Sequence, residues 1–237
     1  FRFQEPRKGR DQEFYQIGAE LIGIPGLEAD VEIILLASHM LEQIGIKDFL
    51  INIGHTKFLE GLLDELENSS SLKDRIAQAI KEKNFVWLKN LIETSTIQPD
   101  IKKTFLALPR FYGGAEILDE LVKFSLNEKC TAAVLELKRL WNMLKKFNNI
   151  QLTFDPGLAR GMDYYTGIVF EIYSPKSGFP LGGGGRYDSL LDKFNGYRPA
   201  TGFALTEDVI LAVLEQDIED IYDPYYLYYN PAKYIEA

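Results

Sequence analysis

Arg160-Gly161-Met162-Asp163-Tyr164-Tyr165-Thr166-Gly167-Ile168-Val169-Phe170-Glu171-Ile172-Tyr173 is the stretch that decides how this 237-residue chain folds. Its second half is an alternating, largely apolar run and predicts a strand over 167–173. Its first half sets an arginine and an aspartate beside two tyrosines, a group suited to a small, polar, charged ligand held on a sheet. Arg160 and Asp163 could equally pair with each other. On a strand, Tyr164 and Tyr165 point to opposite faces, so at most one of them would face a ligand. Gly182-Gly183-Gly184-Gly185 follows and runs into Arg186-Tyr187-Asp188. Such a glycine run permits close backbone approach, or is a flexible turn. It lacks the Gly-Lys-Ser/Thr ending and the Gly-x-Gly-x-x-Gly spacing of phosphate loops.

Before this stretch, residues 1–24 read as a β-hairpin, with strands at 1–3 and 14–22 around a charged loop. Gln16, Gly18 and Glu20 alternate with Tyr15, Ile17, Ala19 and Leu21. The first set is expected to face a pocket and the second the core. Arg2 and Arg10 could clamp a phosphate or carboxylate, because guanidinium groups bind such oxygens in bidentate fashion. They could equally be solvated charges of a surface hairpin.

A stripe of Val31, Ile34, Leu35, Leu41 and Ile44 predicts a helix over 28–44, ended by Gly45. A strand is expected at 49–53, leading into Gly54-His55-Thr56. Residues 57–148 read as almost wholly helical, in six segments at 57–67, 71–82, 84–93, 98–107, 115–126 and 129–147. Further strands are expected at 150–154 and 200–204, and helices at 187–194 and 207–216. This order predicts an α+β fold with a mainly antiparallel sheet and a helical insertion. The expected organisation is a core at 1–56, an insertion at 57–148, a second core part at 149–216 and the start of a further segment at 217–237. There, 225–229 reads as a strand and 231–237 as a helix beginning. The missing initiator methionine and the abrupt end suggest a piece of a longer chain.

Composition narrows the function. Apolar residues make up 46% and charged residues 26%, as in ordinary globular proteins. A net charge of −9 argues against a general nucleic-acid-binding surface, though a local arginine pair can still bind a small anion. Cys130 is the only cysteine, which excludes an intrachain disulfide and fits a reducing cytoplasm. His39 and His55, the only histidines, make no metal signature. No run reaches membrane-spanning length.

Phe1-Arg2-Phe3-Gln4-Glu5-Pro6 through Gly9-Arg10 and Phe14-Tyr15-Gln16 to Glu20 resembles motif 2 of the class II aminoacyl-tRNA synthetases, in its histidyl-tRNA synthetase form. Residues 160–171 resemble that family's first histidine motif and 183–190 its second. Leu106-Ala107-Leu108-Pro109 and Gly113-Gly114-Ala115-Glu116 are similar to its insertion. The resemblance implies the class II fold and a pocket for free histidine. In it, Gln16 would meet the amino acid's polar backbone, Glu20 and Tyr165 its imidazole, and Arg160 its carboxylate region. Tyr187 would help close the pocket, with Gly184 in the glycine run beside it. Arg2 would correspond to the arginine that holds the ATP α-phosphate.

Departures from the synthetase pattern remove positive charge from the ATP and tRNA side. Thr206-Glu207-Asp208 stands where a stacking arginine is expected, Gln12 where a second motif 2 arginine is usual, and Gly167 where a basic residue is usual. Carboxylates near a triphosphate are repulsive. Ile53-Gly54-His55-Thr56 with Phe58-Leu59-Glu60-Gly61-Leu62-Leu63 is similar to the ATP phosphoribosyltransferase regulatory subunits, paralogues of the synthetase. That resemblance implies a non-catalytic subunit of histidine biosynthesis, without cofactor or metal. It would be a homodimer within a hetero-oligomer with a short-form catalytic phosphoribosyltransferase, binding histidine for feedback control. The alternatives are a histidyl-tRNA synthetase fragment and a stand-alone histidine-binding paralogue.

Overall fold

The computed structural model describes residues 14–66, 70–147, 150–158, 164–194 and 196–221. The expected strand at 1–3, Arg2, Arg10, Arg160 and Asp163 lie outside them, as do the readings for 225–237.

The described residues open with β1 (Gln16–Ile22) and α1 (Leu27–Gln43), then β2 (Leu50–His55). A helical block follows: α2 (Thr56–Asp64), α3 (Ser70–Lys81), α4 (Phe85–Thr94), α5 (Pro99–Ala107), α6 (Glu116–Val122) and α7 (Glu128–Leu144). The chain returns through β3 (Gln151–Phe154), β4 (Ile168–Tyr173), β5 (Gly182–Arg186) and β6 (Ala200–Thr206), ending in α8 (Glu207–Ile221). The strands form one sheet in the order β1-β6-β5-β4-β2-β3. β2 and β3 pair in parallel and the other four pairings are antiparallel, as the sequence predicts. The helical block is thus the crossover that a parallel β2–β3 pair requires.

Register sorts the sheet into two chemically different faces, because directly opposed residues share a face and neighbours along a strand alternate. One face carries Ala19, Leu21, Phe203, Leu205, Phe170, Ile172, Ile51, Ile53 and Phe154. It packs on α1 and α7, where Ile34, Ala37, Leu41, Leu137 and Leu140 are fully buried. Burying one such side chain contributes about 1.5–3 kcal/mol. The other face carries Gln16, Gly18, Glu20, Gly202, Ala204, Gly183, Gly185, Glu171 and Asn52, and has little apolar side chain to bury.

Helix ends follow their side chains. His55 Nδ1 caps α2 by accepting the Lys57 N–H at 3.2 Å. Asn84 Oδ1 caps α4 through Trp87 N–H at 3.0 Å, and Asn127 Oδ1 caps α7 through Cys130 N–H at 2.9 Å. Gly45 ends α1 at φ 101°, as expected from the sequence.

Of the two readings for residues 182–185, close backbone approach holds: they form strand β5, held between β4 and β6. Two expectations are corrected. The helix expected over 187–194 shrinks to a single 3₁₀ turn at Leu191–Phe194, because Tyr187 and Asp188 are still bonded to β6 and its approach. Ala19 and Leu21 do turn toward the core, but Tyr15 and Ile17 are exposed. β1 ends the strand order among the described residues, so the core beneath it is thin.

Candidate functional site

The polar face is built as a floor of glycines with side chains standing around it. One row across it reads Glu20, Gly202, Gly185, Val169 and Gly54. Glu20 lies over Gly202: a Cβ added there would stand 1.7 Å from Glu20 Oε2. Tyr165 lies over Gly185, its Cδ1 3.0 Å from where a Cβ would be. Leu158 covers Gly54, with its Cβ 2.7 Å from the corresponding position. Any side chain at Gly202, Gly185 or Gly54 would displace a wall of the site.

Tyr187 follows β5 directly and, by alternation, returns to this face, while Arg186 turns to the other. The Tyr187 hydroxyl donates to Glu20 Oε2. Tyr164 stacks on the Tyr187 ring at 4.9 Å between centroids and 23°, and meets Tyr165 edge-on at 4.8 Å and 80°. Burial, then the hydrogen bond to Glu20 and its charge, push the Tyr187 phenol far above its ordinary value. It therefore remains a protonated donor throughout the physiological range. Further along the same face, Glu171 accepts from Tyr173 Oη, and Thr153 Oγ1 donates to Asn52 Oδ1 at 3.1 Å.

The tyrosine segment is pinned from both sides. Thr166 N–H donates to Arg186 O at 2.7 Å, and Thr166 Oγ1 accepts the Asp188 N–H at 2.9 Å. Gly167 O accepts Thr56 N–H at 3.0 Å and Thr56 Oγ1 at 3.3 Å, which ties the segment to the start of α2.

Arg186 itself is structural. Its Nε donates to Asp30 Oδ2 at 2.9 Å, Nη1 to Asp188 Oδ1 at 3.1 Å and Nη2 to Gly26 O at 2.6 Å. Burial raises the Asp30 carboxyl despite this partner. Arg186 is opposed by its own burial, yet its two carboxylates hold it firmly charged.

The structure brings Glu20, Tyr165 and Tyr187 together. Gln16 shares their face but sits at the far end of β1, roughly 13 Å along the strand from Glu20 at about 3.3 Å per residue. Gly184 stands in the row of Phe203 and Phe170, on the core-facing side; Gly183 and Gly185 are the glycines that share Glu20's face. Because β4 begins at Ile168, residues 164–167 are not strand and the alternation that would set Tyr164 and Tyr165 on opposite faces does not apply to them. Glu171 and Asn52 were not singled out from sequence, although strand alternation puts Glu171 in phase with Gly167 and Val169.

Among the described strand residues of this face the charged side chains are Glu20 and Glu171. No three His, Cys, Asp or Glu side chains among the described residues are arranged to hold a metal. His55 is buried, with Nε2 3.4 Å from Glu136 Oε2, and acts as a helix cap. Glu207 and Asp208, at the position where the resemblance expects an arginine, occupy the first turn of α8. Carboxylates are favourable there, near the helix's positive end.

A mainly antiparallel six-stranded sheet with one parallel pair, a helical crossover and a polar face floored by glycine define a class II aminoacyl-tRNA synthetase-like domain. Sequence comparison refines this: the profile described as histidyl-tRNA synthetase matches residues 1–210, and the chain belongs to that family. It is 37% identical over 217 residues to the ATP phosphoribosyltransferase regulatory subunit of Desulforamulus reducens, covering 91% of this chain and 54% of that one. The regulatory subunit of Moorella thermoacetica is 39% identical over 214 residues, covering 90% and 55%. The chain thus spans about half the length of these relatives. A Bacillus halodurans structure described as an ATP phosphoribosyltransferase regulatory subunit/histidyl-tRNA synthetase superposes with a TM-score of 0.81 at 33% identity, covering 86% of this chain and 55% of that chain. An ATP phosphoribosyl transferase (HisG:HisZ) complex from Thermotoga maritima shares the fold, with a TM-score of 0.65 at 23% identity over 81% of this chain and 66% of that one. No helix among the described residues is long and apolar enough to cross a membrane.

Proposed function

We propose that this protein is the non-catalytic regulatory subunit of ATP phosphoribosyltransferase, and that histidine binds on the glycine-floored face beside Glu20, Tyr165 and Tyr187. The observation that carries the ligand is the Tyr187–Glu20 hydrogen bond at the end of the glycine row. Glu20 is an anionic acceptor fixed by a phenol that stays protonated. An imidazole N–H or an ammonium group supplies the complementary donor, and the tyrosine rings supply an apolar, polarisable wall. Arg160 is the group for the ligand carboxylate. Arg2 and Arg10 are candidates for an anion.

Similarity to regulatory subunits supports the role, and the charge pattern is consistent with it. Glu207 and Asp208 suit the start of α8 but would oppose a triphosphate at the motif 3 position. In this reading the protein works in the cytoplasm, as a homodimer within a hetero-oligomer with the catalytic phosphoribosyltransferase. The helical block over 57–148 forms an inserted unit of the fold.

The test uses the full-length protein with the catalytic phosphoribosyltransferase of the same organism. The catalytic subunit is expected to need this chain for activity and to be inhibited by histidine only in its presence. Histidine-dependent pyrophosphate–ATP exchange is expected to be absent. Robust exchange would establish the synthetase reading instead.

A further inference from the structure

Lys83 stands where a helix end ordinarily takes glycine. α3 closes with Lys83 N–H on Ile80 O at 3.0 Å and Asn84 N–H on Ala79 O at 2.9 Å. These are the paired bonds of a Schellman turn, which needs a left-handed residue just past the helix. Lys83 fills that position at φ 54°. α1 ends in the same turn, with Gly45 N–H on Glu42 O at 3.1 Å and Ile46 N–H on Leu41 O at 3.0 Å. There the left-handed residue is Gly45. A side chain with a Cβ is uncommon in this conformation, so lysine at 83 is a poor choice for the turn itself.

What the side chain reaches is Asp155, whose Oδ2 pairs with Lys83 Nζ. Asp155 is 5% exposed, and a carboxylate so buried needs partners. It organises the turn after β3. Its Oδ1 accepts the Gly157 N–H at 2.8 Å, its N–H donates to Ile53 O at 2.9 Å and its O accepts the Leu158 N–H at 3.0 Å. Leu158 in turn covers Gly54, the last member of the row that starts at Glu20. The helical block thus reaches the end of the row opposite Glu20 through the Lys83 ammonium on Asp155, next to the backbone pair of Gly113 with Phe154.

We propose that Lys83 is a positioning residue for the pocket. By holding Asp155 it sets the 155–158 turn as the row's end wall, and so links histidine occupancy to the placement of the helical block. Any partner that bears on that block then changes histidine affinity, and histidine changes the partner's affinity by the same factor. This rests on the reading of the face as the histidine site.

Lys83→Gly separates positioning from mere stability, because glycine relieves the left-handed backbone while removing the ammonium. In the full-length protein, the melting temperature of Lys83→Gly is expected to fall less than that of Lys83→Ala, because the relieved backbone offsets part of the cost of leaving Asp155 unpaired. Amide exchange at Gly157 and Leu158 should speed up, and histidine affinity measured by calorimetry should weaken about tenfold, within the usual range of such couplings. Lys83→Arg, which can still reach the carboxylate, is expected to restore both. Unchanged exchange at Gly157 and Leu158 together with unchanged histidine affinity would overturn the proposal. If Glu20→Ala loses histidine while Lys83→Gly keeps it, the positioning role falls and the histidine site stands. If the unmodified protein binds no histidine, both fall.

Discussion

Two glycines separate the roles of space and backbone in this site. At Gly202 an added Cβ meets chiefly the end of the Glu20 side chain, at 1.7 Å, with Ala19 O next among backbone atoms at 2.8 Å. At Gly184 it meets backbone alone, Gly202 O at 2.0 Å and Phe203 Cα at 2.7 Å. Gly202→Ala is therefore expected to cost only about 1 kcal/mol in stability, at the low end for overpacking. It should nevertheless swing Glu20 off Tyr187 and weaken histidine binding at least tenfold. Gly184→Ala, which forces β5 and β6 apart, should cost about 3 kcal/mol. Chemical denaturation and calorimetric titration of both variants distinguish these outcomes. Equal destabilisation would mean that Glu20 is not free to yield.

Strand β5 marks the limit of what sequence patterning reveals at the scale of elements. Four consecutive glycines carry no alternation and little strand preference, so neither the strand nor its register can be read from them. Its pairing is imposed by β4 and β6, whose Val169, Phe170, Ile172, Phe203 and Leu205 are all buried. That is why Gly184 was assigned to the pocket when Gly183 and Gly185 share its face. Apolar alternation likewise shows that a strand exists but not that it starts at Ile168. The stripes of α1 and α7, the capping Gly45 and the polar set of β1 were legible because each repeats over several turns or pairs.

The junction of β2 and α2 makes a pH-dependent prediction. The hydrogen bond from His55, opposed by burial, holds the Glu136 carboxyl below its ordinary value of 4.5. A carboxyl whose folded value is depressed stabilises the fold above its unfolded pKa and loses that contribution as pH falls through the folded value. Glu136→Gln is thus expected to cost about 1 kcal/mol at pH 6, where the contribution of this partly exposed group is complete. The difference from the unmodified protein should vanish in strong acid. A gap that stays constant from pH 6 down through the Glu136 titration would show that the pair is not what the variant removes.

Across the whole molecule, one sheet serves two purposes through its two faces. Apolar residues on one side bury α1 and α7 and hold the fold together. The glycine and polar residues on the other lie beneath Glu20, Tyr165 and Leu158, on the face proposed above for histidine. The fold class and the family were legible in the sequence because widely separated motifs at 1–20, 160–173 and 183–190 all belong to one arrangement. The contact between Lys83 and Asp155 was not legible, since it joins residues 72 positions apart through a helix turn whose backbone alone gives it away. In the proposed function this face binds histidine as an effector and does not activate it. Calorimetric titration of the full-length protein with histidine, without ATP, decides this. Saturable binding of one histidine per chain is expected, weakened by about tenfold to a hundredfold in Glu20→Ala, the loss expected for a buried hydrogen bond to a charged group. Absence of binding without ATP, or equal affinity in Glu20→Ala, would contradict it.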